Sequence, residues 1–342
     1  MAHASSSGPS GVQESPTLSV VMPNYNHARY IQGALEAHLN QSVPPLEIIV
    51  VDDASTDDSC AVVERIAAEH PVVRLIRLDH NVGPIPAGKR ALREAKGECV
   101  CFSAADDLVS RDFVQRSLEA LALFPAAAFC FSDPAELIGD SGVVRRFPLY
   151  LSDHPAFFSP DDIERIMRRN YFTFSTYTAV YRRDALLSVG GFREDLDWQA
   201  EWIVNFALAF RHGACYVPAV LGYLRMRPDS YFAVRGKRTD EQRAFLYRAL
   251  ELLKSEAFQD VAPRFRHSAL VPDMRLRVLF RLLASPRHRG YITPKLAGRL
   301  LGRELWSMAR PVVPLGLRRF LRWLVALPTR KATRKRRMVS TV

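Results

Sequence analysis

Two adjacent carboxylates, Asp106 and Asp107, close the stretch Cys99-Val100-Cys101-Phe102-Ser103-Ala104-Ala105-Asp106-Asp107, where an apolar run gives way abruptly to negative charge. The run reads as a buried strand, and burying two carboxylates at its end is costly unless an opposite charge faces them. A divalent cation bridging a diphosphate would supply that charge. A turn or a helix cap would use the same residue types, so the rest of the chain has to discriminate.

Three more polar clusters stand in the same relation to an apolar run. Pro23-Asn24-Tyr25 ends the run from Leu18, Asp52-Asp53 follows Leu46 to Val51, and Asn81-Val82-Gly83 follows Val72 to Leu78. Helix-period stretches lie between them: one reaches about Leu39, one carries Val62, Val63, Ile66 and Ala67, and one spans Ala87 to Ala95. Strands alternating with helices predict an α/β fold with a mostly parallel sheet covered on both faces. In such sheets the ligand crevice lies beyond the carboxyl ends of the strands. The fold would therefore gather the four clusters on one edge, although they are spread over more than eighty positions.

This ordered set resembles the family 2 glycosyltransferases, nucleotide-sugar enzymes with a GT-A, Rossmann-like fold. Ser19 to Asn26 resembles the family's opening strand and loop, and Glu47 to Asp57 its second strand and acidic turn. Asn81-Val82-Gly83 with Ala87 resembles the third motif, and Phe102 to Asp107 the strand carrying the metal site. The resemblance runs from about Leu18 to Ser230. It implies that Pro23, Tyr25 and Asp53 line the nucleoside pocket, with Tyr25 on the base and Asp53 accepting from its ring N–H. Asp52, Asn81, Gly83 and Lys89 would belong to the same nucleotide-sugar surface, with Arg77 as a further base or phosphate contact. Asp106 would reach the ribose and, with Asp107, the metal. A hard cation, Mn²⁺ or Mg²⁺, would neutralise the diphosphate as the glycosyl bond breaks.

The chain departs from the family pattern twice in this region. Ala104 stands where relatives often carry an Asp, and Gly88-Lys89 where they carry an Arg-Asn pair.

Further along, Gly190-Gly191-Phe192-Arg193-Glu194 resembles the turn before the family's acceptor helix, and Glu201 to Gly213 the helix that follows. On that alignment Glu201 is the base that takes the acceptor hydroxyl proton in an inverting transfer. Asp197 is the rival, four residues earlier and on the same helical face. Tyr223 to Ser230 resembles the loop over the diphosphate. Relatives often have a His near Arg227; here Arg225 or Arg227 would pair with phosphate oxygens through a guanidinium fork.

Composition fits this reading. The chain has 342 residues, 48% hydrophobic and 24% charged, which suits a soluble globular protein with a substantial core. Its five cysteines show no paired or metal-finger spacing, so a reducing cytoplasm is expected. The net charge of +11 is concentrated: from Leu305 onward there is no Asp or Glu, and ten Arg and Lys account for nearly all of it.

Residues 1–16 read as a disordered leader, 17–235 as the GT-A domain, 236–327 as a helical extension and 328–342 as a basic disordered tail. No apolar run approaches the roughly 20 residues of a membrane span. Arg318, Arg319 and Arg322 alternate with Leu317, Phe320, Leu321, Trp323 and Leu324. Such a segment could lie on an anionic membrane surface, placing the protein peripherally at the inner face of the cell membrane. It could equally pack its apolar face on the catalytic domain. If the segment lies on a membrane, the acceptor would be a glycan or a lipid-linked glycan of surface polysaccharide or glycolipid synthesis. A non-catalytic nucleotide-sugar scaffold is the alternative. Nucleic acid is not expected, because acidic strand ends would repel its phosphates.

Overall fold

The computed structural model describes residues 16–228, 230, 239–272 and 275–309. The amphipathic segment and basic tail beyond Ala309 lie outside the described residues, as does nearly all of the leader.

The first half repeats a strand–helix unit. β1 (Leu18–Asn24), α1 (Ala28–Leu39), β2 (Glu47–Asp52), α2 (Ser59–Glu69), β3 (Val73–Arg77), α3 (Pro84–Glu94) and β4 (Cys99–Phe102) follow in order. Every residue of β2 is buried, as expected of a strand covered on both faces. The expected strands fall within one or two residues of those observed. The third helix begins at Pro84, earlier than the apolar pattern predicts, because proline suits the first helical turn, where its missing N–H costs nothing.

Beyond β4 come β5 (Leu108–Val109), α4 (Phe113–Leu123), β6 (Phe129–Ile138), β7 (Val144–Arg146), β8 (Ala156–Phe158) and α5 (Pro160–Arg169). A 3₁₀ turn (Thr176–Thr178), β9 (Val180–Arg182), α6 (Arg183–Ser188), a second 3₁₀ turn (Glu194–Gln199), α7 (Ala200–His212) and β10 (Ala214–Met226) complete the sheet and the helices between its strands. Among the described residues, four α-helices follow: α8 (Thr239–Leu252), α9 (Ala262–His267), α10 (Arg277–Ala284) and α11 (Pro294–Ala309).

The main path of the sheet runs β3-β2-β1-β4-β9-β6-β10-β5, with β7 beside β6 and β8 beside β10. The α/β architecture flanked by helices is as expected, and β3, β2, β1 and β4 are parallel throughout. The remainder is mixed: β9 runs antiparallel to β4 and β6, while β6 and β10 are parallel. The reason lies in the connections. The first four strands are joined by helical crossovers, which suit parallel neighbours, whereas β6 and β7 are joined by a short hairpin turn that forces reversal.

One core cluster joins Val21, Val51 and Val100 of the sheet to Phe206 of α7, Phe245 of α8, Phe265 of α9 and Leu300 of α11. The four helices after β10 therefore share a core with the sheet. Phe265 is fully buried, with ring centroids 5.4 Å from Trp202 and 5.2 Å from Phe210, so α9 clamps α7. Arg211 at the end of α7 holds Asp260 with two 2.8 Å hydrogen bonds. Burial of this aromatic surface fixes α7, and with it Glu201, against the sheet.

Candidate active site

The carboxyl ends of β1, β2 and β4 place three of the polar clusters together. Asn24 and Asp52 are register partners, and the Asn24 amide donates to the Asp52 carboxylate at 2.7 Å. Asp52 also accepts the Ser55 N–H at 2.9 Å. Burial pushes the Asp52 carboxyl up, but hydrogen bonds from Ser55 and Asn24 outweigh it and hold the group below the usual carboxylate range. Asp52 is thus committed to shaping the turn.

Asp53 joins the second cluster to the third. Its two carboxylate oxygens accept the N–H groups of Val82 and Gly83 at 2.7 and 2.8 Å. Gly83 has φ +93°, a conformation that favours glycine and lets the chain turn into α3. Tyr25 stands half-exposed above this edge, with Pro23 partly buried and Asn81 exposed nearby in the sequence order of the clusters. A planar ring open to solvent offers a face on which a base could stack. Arg77 is at the end of β3, but its guanidinium reaches outward to Glu64 of α2 at 2.5 Å. Lys89 pairs with Glu194 at 2.8 Å, linking α3 to the turn before α7.

Asp106 and Asp107 are both buried. The loop that carries them is tied to the end of β10, about 120 positions away. The Arg225 N–H donates to Asp107 Oδ1 at 2.8 Å, and Arg225 Nε donates to the Asp106 carbonyl at 2.9 Å. Arg227 Nε lies 3.1 Å from Asp106 Oδ2. Both guanidiniums face the ring of Tyr30, 5.0 and 4.8 Å from its centroid. Arg225 also meets Asp140 at 3.2 Å, and Arg227 donates to His27 Nε2 at 2.9 Å. An arginine can only donate, so His27 Nε2 accepts and the ring is neutral there.

Burial raises the Asp107 carboxyl well above its usual range, and the charges of Asp106 and Glu201 raise it further, against the opposing Arg225. That surplus of negative charge suits a divalent cation with oxygen ligands. Among the described residues no group of three or more His, Cys, Asp or Glu forms a protein cage. The donor set therefore fits a cation held by Asp107 and Asp106, with its remaining ligands from phosphate and water.

Glu201 lies in the first turn of α7 and is raised by burial, opposed by the Thr176 hydroxyl. Its charge raises the Asp107 carboxyl, which sets the start of α7 within electrostatic reach of the carboxylate pair. Asp197 lies in the 3₁₀ turn leading into α7, and its side chain is outside the described residues. Between the two sides stands the turn Thr176–Thr178. Tyr177 is raised mainly by burial and also by the charge of Asp107. A Cβ on Gly222 would come within 2.4 Å of the Tyr177 carbonyl oxygen, so only glycine lets β10 pass behind this turn.

Sequence reasoning missed Thr176, Tyr177, Tyr30, Asp140 and Asn205. Asn205 alone left a signal, a single amide inside the apolar run Ile203 to Phe210.

The comparisons with known proteins follow this geometry. The sequence profile of Glycosyl transferase family 2 matches residues 19–190. The succinoglycan biosynthesis protein ExoO of Rhizobium meliloti is 36% identical over 111 residues, covering 32% of this chain and 31% of that protein. The chain spans about half or less of the length of the curated relatives it matches. Among solved structures, Staphylococcus aureus TarS 1–349 in complex with UDP-GlcNAc superposes with TM-score 0.58 at 20% identity, over 84% of this chain and 79% of that one. The mannosyltransferase PcManGT of Pyrobaculum calidifontis, in complex with GDP-Man and Mn²⁺, gives TM-score 0.54 at 23% identity, over 93% and 82%. The fold is thus that of these GT-A proteins, and by its profile the chain belongs to glycosyl transferase family 2.

Proposed function

We propose that the protein is an inverting glycosyltransferase that moves a sugar from a nucleotide-diphosphate sugar to an acceptor hydroxyl in surface polysaccharide or glycolipid synthesis. The observation that carries this reading is the meeting of the buried Asp106 and Asp107 with Arg225 and Arg227 from the end of β10, with the charge of Glu201 raising the Asp107 carboxyl.

In this reading Tyr25 and Asp53 hold the nucleoside and Asp106 and Asp107 hold a divalent cation. The cation would neutralise the diphosphate as it departs. Arg225 and Arg227 add donors suited to phosphate oxygens. Glu201 takes the acceptor proton: burial makes it a stronger base than an exposed carboxylate, and α7 holds it rigidly. Attack from the face opposite the leaving diphosphate inverts the anomeric centre. The fold neighbours described above are titled as complexes with UDP-GlcNAc and with GDP-Man and Mn²⁺, which supports both donor class and metal. Succinoglycan biosynthesis in the name of a relative supports the polysaccharide setting.

The test is nucleotide release over a panel of UDP-, GDP- and dTDP-sugars with Mn²⁺, repeated with Asp107→Ala and Glu201→Gln. Turnover lost in both variants supports the assignment, and no turnover of any nucleotide sugar overturns it. Binding without turnover would favour a scaffold instead. Retained activity in Glu201→Gln would move the base to Asp197.

A membrane setting is favoured by one further observation. Leu301, Leu305 and Met308 form an exposed apolar stripe on α11, immediately before the ten cations of the C-terminal segment. Among the described residues no helix is long and apolar enough to cross a membrane, so attachment would be peripheral, at the cytoplasmic face. A full chain that does not co-sediment with anionic vesicles would argue against the membrane setting, and co-sedimentation that survives removal of residues 310–342 with Leu305→Glu would argue against attachment through this segment.

A further inference from the structure

Tyr25 is 43% exposed, yet the backbone on either side of it is pinned. On one side the Asn24 carbonyl accepts the Asp53 N–H at 2.8 Å, and the Asn24 side-chain amide donates to Asp52 at 2.7 Å. On the other, the Asn26 N–H donates to Ser55 Oγ at 2.9 Å. A ring that offers one face to a planar base gains from such fixing, because less freedom is lost when the base arrives.

Asn26 is the centre of this arrangement. Its φ of +55° lies in the left-handed region, which asparagine and aspartate tolerate better than other L residues. A side-chain-bearing residue stays there only where its surroundings hold it. Asn26 Oδ1 accepts the Thr56 N–H at 2.8 Å, with the Asp57 nitrogen 3.4 Å away. A backbone N–H can only donate, so the oxygen of the amide faces the loop after β2. That loop holds a left-handed residue of its own, Ala54 with φ +59°, and it returns the contact. Asp57 Oδ2 accepts the Ala28 N–H at 2.8 Å, and Ser59 Oγ accepts the His27 N–H at 3.1 Å. The loops after β1 and β2 are thus clasped together. One carries Tyr25 and the other Asp53.

We infer that Asn26 is a positioning residue for nucleotide binding: its side-chain oxygen clasps the loop after β2 and sets the backbone from which Tyr25 presents its ring to the base. The inference rests on Tyr25 being the base platform. Asn26 acts through Tyr25 in this scheme, so its effect belongs to donor binding and not to the transfer step.

The test measures binding of UDP, GDP and dTDP by calorimetry in Asn26→Gly, Asn26→Asp, Tyr25→Ala and Asn26→Gly/Tyr25→Ala, with thermal unfolding to confirm that each variant folds. Glycine takes the left-handed backbone without strain but lacks the acceptor, whereas aspartate keeps it. Asn26→Gly should weaken the nucleotide that the wild type binds best about tenfold, and Asn26→Asp should bind it more tightly than Asn26→Gly does. At saturating donor, kcat in Asn26→Gly should stay at the wild-type value. Because Asn26 acts through Tyr25, the double variant should bind little worse than Tyr25→Ala alone. Wild-type affinity in Asn26→Gly, with Tyr25→Ala weakened, overturns the inference alone, and so does a fully additive loss in the double variant. Wild-type affinity in Tyr25→Ala, or no binding of any of the three nucleotides, overturns the platform assignment and this inference with it.

Discussion

Arg227 and Asp106 form an ion pair, 3.1 Å from Nε to Oδ2, with both side chains largely buried. The guanidinium also faces Tyr30 and donates to His27, so its plane is set by three neighbours: Asp106 in the β4–β5 loop, His27 just before α1 and Tyr30 in the first turn of α1. A lysine could keep the charge but not the fork or the stacking. Arg227→Lys should raise the donor KM roughly tenfold and change kcat less, read from initial rates over donor concentration. An unchanged KM would remove Arg227 from the donor site.

Asp107 carries a buried carboxyl that is reluctant to ionise beside Asp106. In the proposed site a divalent cation relieves that repulsion. Chelation should therefore abolish nucleotide release, Mn²⁺ should restore it, and Asp107→Asn should weaken Mn²⁺ binding measured directly by calorimetry. Equal Mn²⁺ affinity in wild type and Asp107→Asn would refute the assignment.

Asp53 holds the loop at Val82 and Gly83 through two backbone donors. Asp53→Ala leaves both N–H groups without that acceptor, at a cost of about 1–3 kcal/mol, and loosens the nucleoside side of the crevice. Nucleotide affinity should fall together with the melting temperature. A fall in affinity alone would mean that Asp53 touches the nucleotide without supporting the loop.

His38 gives a pH signature of stability. It is buried against Phe113, its Nε2 is 2.9 Å from Ser103 Oγ, and burial lowers its pKa to about 4. The unfolded chain binds this proton near pH 6.5 and the folded chain only near pH 4, so the unfolded state gains protons between the two. Stability from this group is complete above pH 6.5 and is lost as pH falls toward 4, by about 3 kcal/mol. In denaturant titrations His38→Gln should flatten that window by a comparable amount. An unaltered slope would show that other groups govern acid unfolding.

Phe265 tests the clamp on α7. Phe265→Ala removes a fully buried ring between Trp202 and Phe210 and should cost about 3–5 kcal/mol. In any fraction that remains folded, kcat should fall more than donor KM rises, because Glu201 rides on the helix that Phe265 holds. A loss of stability with kcat intact would separate the clamp from the chemistry.

Much of the catalytic half was legible as local pattern. Apolar runs of strand length, helix-period spacing and polar residues at strand ends follow from burial and periodicity, which act over a few residues. That placed Asp53 and Asp106-Asp107 on one edge and gave β1 to β4 nearly to the residue. The pattern did not reveal how β6, β9 and β10 pair, because their alternation is irregular and register shifts interrupt β10 against β6. A mostly parallel sheet was the expectation, and the antiparallel pairs fall where short turns replace the helical crossovers.

The same divide runs through the site. Sequence alone determined which residues could carry chemistry: the carboxylates after β2 and β4, the arginines at the end of β10 and the acidic start of α7. Tertiary structure decided which of them act together. It sent Arg77 outward to Glu64, spent Asp52 on its own turn and set Arg225 and Arg227 against Asp106 and Asp107. It also bonded Asn205 to Thr176 and Tyr181 within the core. Those partnerships join residues from 3 to about 120 positions apart, and most depend on strand order and on which faces the core buries. Such choices are settled by the packing of the whole chain, where an unpartnered charge or amide is too costly to leave buried.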